Sequence, residues 1–278
     1  MITDSQVLES YRHHLTVSPR RYAPGTIRSY VNMADRYMHA VPDWATCGVL
    51  TVEQFVYGLD RTDSSKRDAN AAVRRFYRWA VREGLAGSDP TATVELPRMK
   101  PRVPRPMSDG DVKLALLYAA YVEDERMTAM LALMAGCGLR CCEVAAADWA
   151  DLDRDGQRMV VHGKGDRERI VPVPPSVADA LERVERRSRA VFVSPATGKR
   201  YTPTRVSQLV NQHLKAAGVS GTAHTLRHWY ATERLTAAGS LEIVRDLLGH
   251  SSVTTTENYA ALAPGLRFDY RPVEVPGL

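Results

Sequence analysis

A segment rich in proline and positive charge divides the chain near residue 100. Residues 96–108 read LPRMKPRVPRPMS, with four prolines and four cations. Proline removes backbone donors and blocks helix formation, so the segment should be extended. We therefore predict two domains, residues 1–95 and 108–278, joined by a linker over residues 96–107. The linker charges suited to a phosphate backbone are Lys100, Arg102 and Arg105.

The first domain is predicted to be a helical bundle, because four stretches before the linker repeat apolar residues at helical intervals. These stretches begin near residues 5, 25, 51 and 64. In the longest, the packing side is formed by Ala69, Ala72, Val73, Phe76, Tyr77 and Ala80.

Another face of that helix carries a row of arginines, Arg74, Arg78 and Arg82, at successive i+4 positions. Such a row is usually a solvated face. Here the charge distribution favours a polyanionic partner, because residues 1–107 hold 16 Lys+Arg against 11 Asp+Glu, whereas the remainder holds 21 of each. The linker and this charge make the row a candidate contact for such a partner, and the family resemblance given below implies that the partner is DNA.

The second domain should be mostly helical with a small sheet over residues 159–173 and a further strand over residues 190–194. Ser108 is predicted to cap its first helix. The fold class is therefore mainly α with a small β-sheet (α+β). The tail, residues 260–278, either folds onto its own domain or docks on a neighbouring subunit.

An arginine at the end of an apolar run is the first candidate site residue. The apolar run that begins at Met130 breaks at Gly136 and Gly138, and Arg140 follows with Glu143 three residues later. A cation at the end of a buried run needs an anion, either a carboxylate or a ligand phosphate. Glu143 fits both interpretations, as the sole partner or as a brace that leaves part of the guanidinium available.

Further candidates lie downstream. Lys164 stands between two glycines at the turn of the predicted hairpin, where a lysine is usually solvated but can also reach into a groove. His224 and Arg227 share one helix face at i,i+3. His250 directly follows Gly249, a helix stop, and Tyr259 lies on a short helix after it.

Composition excludes other classes of protein. The four cysteines lack the paired spacing of a zinc site, so we expect free thiols, no metal and no cofactor. The longest apolar run, residues 130–139, is half of a membrane span, and the amino terminus is polar. We expect a soluble intracellular protein with no membrane partner, and the family resemblance given below implies that it acts on DNA in the cytoplasm of the host cell.

Together these pieces resemble the tyrosine recombinases, or phage integrase family. The matching segments occur in the family's order and cover most of the chain: GLRCCEV, GKGDRERIVPVP, HTLRH, LLGHSSVTTTENY and the helical amino-terminal half. The resemblance implies a site-specific recombinase that cuts and rejoins DNA through a 3′-phosphotyrosyl intermediate. The implied catalytic residues are Arg140, Lys164, His224, Arg227, His250 and the nucleophile Tyr259, with Glu143 in support.

The chemistry of the family explains these residue types. Two guanidiniums, Arg140 and Arg227, can neutralise the charge that builds on the phosphate. A phenol has a pKa near 10, so the nucleophile needs a base, for which His224 is the candidate, with His250 as a further donor. The resemblance assigns Lys164 as the acid that protonates the leaving 5′ oxygen. Neither ATP nor a metal is then required.

The resemblance also implies architecture and partners. The helical domain would be the core-binding half of a C-shaped clamp around double-stranded core or crossover sites, and strand exchange would take a homotetramer on DNA. An accessory directionality factor is a further partner of this class. The core-binding pattern starts within the first ten residues, so we expect a short integrase without an arm-binding domain.

Two other functions share this chemistry or fold. A type IB topoisomerase would use the same phosphotyrosyl step to relax DNA, but the HTLRH and LLGHSS motifs and the helical first domain favour a recombinase. A non-catalytic DNA-binding protein would have no need for a tyrosine nucleophile and its five partners.

Overall fold

The computed structural model describes residues 3–96, 106–153, 155, 157–163, 168–238 and 275–278, with side chains in the last helix described through Leu235. The chain divides into two compact units, within residues 1–100 and 101–278. Most of the predicted linker, residues 97–105, lies outside the described residues.

The first unit consists of helices that begin at well-defined caps. Thr3 accepts a hydrogen bond from Gln6 N and forms a capping box with it, and Thr62 accepts one from Ser65 N. The helices are α1 (Asp4–Val17), α2 (Pro24–Ala40), α3 (Val49–Gly58) and α4 (Asp63–Arg82).

Aromatic side chains fill the core of this unit. The packing side predicted for α4 is confirmed, because all six of its residues are buried. Tyr11 packs edge-on against Phe76 with ring centroids 5.3 Å apart. The hydroxyls of Tyr37 and Tyr77 lie 2.9 Å apart, and Tyr77 donates to the carbonyl of Trp44 at 2.6 Å. These two buried hydroxyls are thus satisfied within the core.

The second unit is mainly helical with a small sheet, as predicted. Ser108 caps its first helix, since Ser108 Oγ accepts from Asp111 N at 3.1 Å. The helices are α5 (Asp109–Tyr121), α6 (Glu125–Gly136), α7 (Cys141–Ala146), α8 (Pro175–Glu182), α9 (Pro203–Ala216) and α10 (Ala223–Ala238). The strands are β1 (Leu152–Asp153), β2 (Arg158–His162) and β3 (Glu168–Pro172).

The sheet is antiparallel in the order β1-β2-β3, with Val160 paired to Ile170. The two-residue β1 was not anticipated. The strand predicted over residues 190–194 is wrong, because that segment makes only isolated bridges, at Ala190 and Val193. The apolar residues of this segment are buried against the core, as Phe192 is. Their burial, and not the ladder of a sheet, accounts for the apolar run.

Helix α6 runs through the centre of the second unit and packs against α5, α8 and α10. Every residue from Met127 to Gly136 is buried, as expected for a helix that is apolar on all sides. Val275 is buried beside Gly136, so the last described residues, 275–278, pack on their own unit. Among the described helices, none is both long and apolar enough to cross a bilayer.

Gly138 ends this central helix with a sharp turn. Its φ is +67°, in the left-handed region, and a Cβ at this position would overlap the ring of Tyr230 on α10. The glycine therefore lets the chain reverse while the two segments approach closely.

We predict that Gly138→Ala destabilises the protein by about 3 kcal/mol, from backbone strain and overlap with Tyr230 combined. Gly198→Ala is the matched control, because Gly198 has φ +66° and open space around its Cβ position. It should cost only about 1 kcal/mol. Urea unfolding of both variants measures the difference, and equal losses would show that the contact with Tyr230 has no part in stability.

Candidate active site

Arg140 stands where the central turn leads into the next helix. It is the N-cap of α7, two residues after Gly138. Its backbone N–H donates to Glu143 Oε2 at 2.8 Å, and its Nη1 donates to Glu143 Oε1 at 2.9 Å. The side chain of Arg140 is 37% exposed. The turn thus holds the guanidinium at the surface while its carboxylate partner is inside.

Glu143 is a buried carboxylate, with its side chain only 1% exposed. Arg169 on β3 meets it with two hydrogen bonds, Nη1 to Oε1 at 2.7 Å and Nη2 to Oε2 at 2.9 Å. Arg227 Nη1 lies 3.8 Å from Oε2. Burial alone would raise the pKa of Glu143, but the hydrogen bonds from Arg169 and the Arg140 N–H, with the charges of Arg169 and Arg227, lower it.

Three guanidiniums therefore surround one carboxylate. The cluster of Arg140, Glu143, Arg169 and Arg227 carries an excess of positive charge in a partly desolvated place, which favours an anion at its open side. Glu143 is not the partner of Arg140 alone, so the geometry favours the interpretation of Glu143 as a brace.

Arg227 and His224 come from the first turns of α10. Arg227 is only 3% exposed, and its Nη1 donates to the carbonyl of Gly138. This bond ties α10 to the turn that precedes Arg140. His224 is exposed one turn earlier on the same helix. Partial burial and the charges of Arg227 and Arg140 lower the pKa of His224, which favours its neutral form.

These side chains share a cavity of about 410 Å³. Three of the predicted catalytic residues line it, Arg140, His224 and Arg227. The other three, Lys164, His250 and Tyr259, lie outside the described residues, as do Lys100, Arg102 and Arg105 of the linker. The described part of the site thus contains both of the guanidiniums that are predicted to bind the phosphate.

Two residues of the site were missed from the sequence. His228 lies edge-on to His224 with ring centroids 4.2 Å apart. Burial, with the charges of His224 and Arg227, lowers the pKa of His228 to about 4. Its i+4 spacing from His224 was the signal that could have found it.

Arg169, the second missed residue, lies on the inward face of β3 together with the buried Val171, while Ile170 between them is 62% exposed. Strand alternation could have placed a cation on that face, and an inward cation needs an anion. The carboxylate that it meets is 26 residues away in the sequence, so the partner itself was not readable.

The predicted arginine row is not uniform. Arg78 is exposed, whereas Arg74 is partly buried. Arg82 donates from Nε and Nη2 to Glu83 at 3.1 and 2.8 Å, and its Nη2 lies 3.2 Å from His14 Nδ1. Of the three, Arg78 is best placed to meet an external phosphate.

Metal ligands are not grouped in the described part of the chain. No cluster of three or more His, Cys, Asp or Glu side chains that could hold an ion occurs among these residues. Cys137 is buried, Cys141 is partly buried and Cys142 is exposed, all as free thiols.

Comparison with protein families gives two matches. Residues 109–265 match the phage integrase family, and residues 8–84 match the phage integrase amino-terminal SAM-like domain. The first match covers the cavity described above and the positions of all six predicted catalytic residues.

Individual proteins and structures agree. The chain is 31% identical over 287 residues to tyrosine recombinase XerD of Mycobacterium tuberculosis, with 91% of each chain covered. It is 34% identical over 207 residues to XerD of Pseudomonas aeruginosa, with 69% of each covered. The fold is similar to lambda integrase in a dimer bound to a COC′ core site (TM-score 0.73, 18% identity, 91% and 97% covered). A lambda integrase tetramer bound to a Holliday junction gives TM-score 0.75 at 18% identity, with 93% and 77% covered.

The histidine pair predicts a pH dependence of stability. An unfolded imidazole binds a proton near pH 6.5, whereas folded His228 resists protonation down to about pH 4. Unfolding therefore takes up protons within this window, and stability falls as the pH falls through it. Between pH 7 and pH 5, the wild type should lose about 1–2 kcal/mol more of its free energy of unfolding than His228→Phe does.

Urea unfolding at the two pH values measures this difference. His39→Gln is the control, because His39 lies on the surface of α2 with its side chain 79% exposed, and it should behave as the wild type does. An unchanged pH dependence in His228→Phe would contradict the prediction.

Proposed function

Since the chain belongs to the phage integrase family and is a tyrosine site-specific recombinase, we propose that it cleaves DNA through Tyr259 at the cavity lined by Arg140, His224 and Arg227. The observation that carries the proposal is the surplus of guanidinium charge around Glu143, at a cavity that His224 also lines.

The guanidiniums act on the scissile phosphate. A phosphodiester is already an anion, and attack by an oxygen builds further charge on a five-coordinate phosphorus. Arg140 and Arg227 are fixed from behind, by Glu143 and by the Gly138 carbonyl, so little reorganisation is needed when that charge develops. The excess positive charge of the cluster then stabilises the transition state more than the ground state.

The nucleophile and its base complete the first half of the step. The phenol oxygen of Tyr259 forms a bond to phosphorus, and its proton passes to His224, whose lowered pKa leaves a ring nitrogen able to accept it. His250 donates a hydrogen bond to the phosphate. The phosphate neutralises neighbouring positive charge, which favours the imidazolium that forms.

The leaving group completes the second half. As the bond between phosphorus and the 5′ oxygen breaks, Lys164 gives that oxygen a proton. The phosphate is then esterified to the tyrosine at its 3′ side, and the bond energy is retained in the enzyme–DNA ester. A 5′ hydroxyl from a second duplex can reverse the step, which permits strand exchange without ATP.

The partners proposed are double-stranded core or crossover sites and three further copies of the chain. Solved structures of similar fold include an integrase dimer on a core site and a tetramer on a Holliday junction, which support this assembly. An accessory directionality factor and a cytoplasmic site of action belong to the same proposal. The arrangement of the two units as a clamp around DNA stays a prediction.

A topoisomerase-like activity is the second candidate function, because the same ester would allow strand rotation. The similarity to XerD recombinases over 91% of the chain favours strand exchange. A purely DNA-binding role could use the guanidinium cluster, but it has no need of a tyrosine nucleophile.

Covalent capture tests the proposal and selects the target sequence in the same experiment. A pool of nicked duplexes with a randomised central segment is incubated with the protein, and DNA that remains attached after denaturation is sequenced. We expect one enriched site, with the tyrosine joined to a 3′ phosphate. Tyr259→Phe should bind the recovered site with wild-type affinity and form no adduct.

Mass spectrometry of the wild-type adduct identifies the attachment point. DNA attached to a residue other than Tyr259, or an adduct that persists in Tyr259→Phe, would overturn the assignment of the nucleophile. If the recovered duplex is relaxed as a plasmid site but never exchanged between two duplexes, the topoisomerase-like function holds instead.

The arginine row predicts salt dependence. Each phosphate contact contributes a slope of about 0.9 in log affinity against log salt. Arg78→Gln should lower the slope for the recovered duplex by about that amount, measured by fluorescence anisotropy at several salt concentrations. Arg186→Gln is the control for net charge, because the Arg186 guanidinium packs over Trp149, with its Cζ 4.5 Å from the ring centroid. Equal slopes for wild type and Arg78→Gln would place Arg78 on a solvated face.

A further inference from the structure

Arg169 shares Glu143 with the candidate phosphate-binding arginines, yet it has no role in the cleavage chemistry above. Its side chain is 13% exposed, and it meets the carboxylate with both terminal nitrogens. Arg169 belongs to β3, where it is paired in register with Val161 of β2. A bidentate ion pair therefore links the sheet to α7, the helix that begins after Arg140.

The acceptor capacity of Glu143 explains why this link matters. Each carboxylate oxygen can accept about two hydrogen bonds. Oε1 accepts from Arg140 Nη1 and Arg169 Nη1, and Oε2 accepts from the Arg140 N–H and Arg169 Nη2. The four positions are thus occupied, and Arg227 remains at 3.8 Å, beyond hydrogen-bond distance.

Loss of Arg169 would open two of the four positions on a buried carboxylate. An unsatisfied buried charge is costly, so the nearest donors would move to fill them. Those donors are the guanidiniums of Arg140 and Arg227. Either movement would withdraw from the cavity a group that neutralises the phosphate.

We propose that Arg169 is a positioning residue for DNA cleavage: it occupies the acceptor positions of Glu143 that would otherwise draw Arg140 and Arg227 away from the scissile phosphate. The inference rests on the proposed function of those two arginines. Arg169 is not among the described residues that line the cavity, and it would act through Glu143.

Single-turnover cleavage of the captured nicked duplex tests the inference. Arg169→Met should bind this duplex as the wild type does and cleave it about 10²-fold more slowly, as expected when a stabilising group is displaced by about 1 Å. Arg169→Lys should fall between the two, because one ammonium cannot span both carboxylate oxygens. Wild-type cleavage by Arg169→Met would overturn the proposal.

Arg158→Met is the matched control for the substitution. Arg158 lies on the same hairpin, on β2, and pairs with Asp153 at 2.8 Å, but its side chain is 59% exposed. Its loss should leave the cleavage rate unchanged. An equal loss of rate in both variants would mean that the hairpin is merely destabilised, and the proposal would fail.

A sulfur substrate separates the arginines from the general acid. When the 5′ oxygen of the scissile bond is replaced by sulfur, the thiolate leaves without a proton. Lys164→Ala should therefore regain most of its rate on this substrate, whereas Arg140→Ala and Arg169→Met should not. Rescue of Arg169→Met by sulfur would show that Arg169 acts through the acid, which would overturn the proposed route through Glu143.

A crystal structure of DNA-free Arg169→Met decides the point independently of cleavage. We expect the guanidinium of Arg140 or Arg227 to have moved onto Glu143. Unmoved guanidiniums would overturn the inference even if cleavage by the wild type is established. Absence of any adduct with the wild type, in contrast, would refute the proposed function and leave this structural result to stand by itself.

Discussion

One buried carboxylate organises the second unit. Placing Glu143 inside costs hydration, and the hydrogen bonds from Arg140 and Arg169, with the charge of Arg227, offset that cost. Because these groups come from the start of α7, from β3 and from α10, the ion cluster joins three elements that are distant in sequence. The three guanidiniums exceed the one carboxylate by two positive charges, and this excess favours the binding of a phosphate diester. The ion cluster that joins these elements is thus also the proposed phosphate-binding part of the site.

The central helix gives this cluster its rigid base. Because α6 is buried on every side, the position of its carboxyl-terminal end is fixed. The short turn at Gly138 then fixes the position of Arg140 relative to that end. The close approach of Tyr230 to the turn, together with the bond from Arg227 to the Gly138 carbonyl, sets α10 against the same point. The two guanidiniums proposed to bind phosphate, Arg140 and Arg227, are therefore aligned by one backbone turn. With helix packing alone, the position of each guanidinium would depend on the rotamer of its own side chain.

Local signals made the helices and most of the described site predictable. Thr62, Ser108 and the apolar spacing of α4 act within a few residues, so the sequence displays them directly. Arg140, His224 and Arg227 were found because their spacing and their chemistry are unusual together. Arg169 was missed because its partner is set by tertiary folding, and residues 190–194 were misjudged because a buried loop and a strand show the same apolar run. The structure places Arg140, His224 and Arg227 at one cavity, and the catalytic roles of these three residues stay predictions, as do those of Lys164, His250 and Tyr259.

The acceptor that receives Arg227 is a main-chain oxygen, which has a consequence for how the enzyme can vary. A side-chain acceptor can be lost by a single codon change, whereas every amino acid supplies a carbonyl. A change of side chain beside this carbonyl therefore leaves a hydrogen-bond acceptor in place for the guanidinium. Its vulnerability is conformational, because any change that rotates the peptide plane between Gly138 and Leu139 would move the oxygen without altering a single polar group.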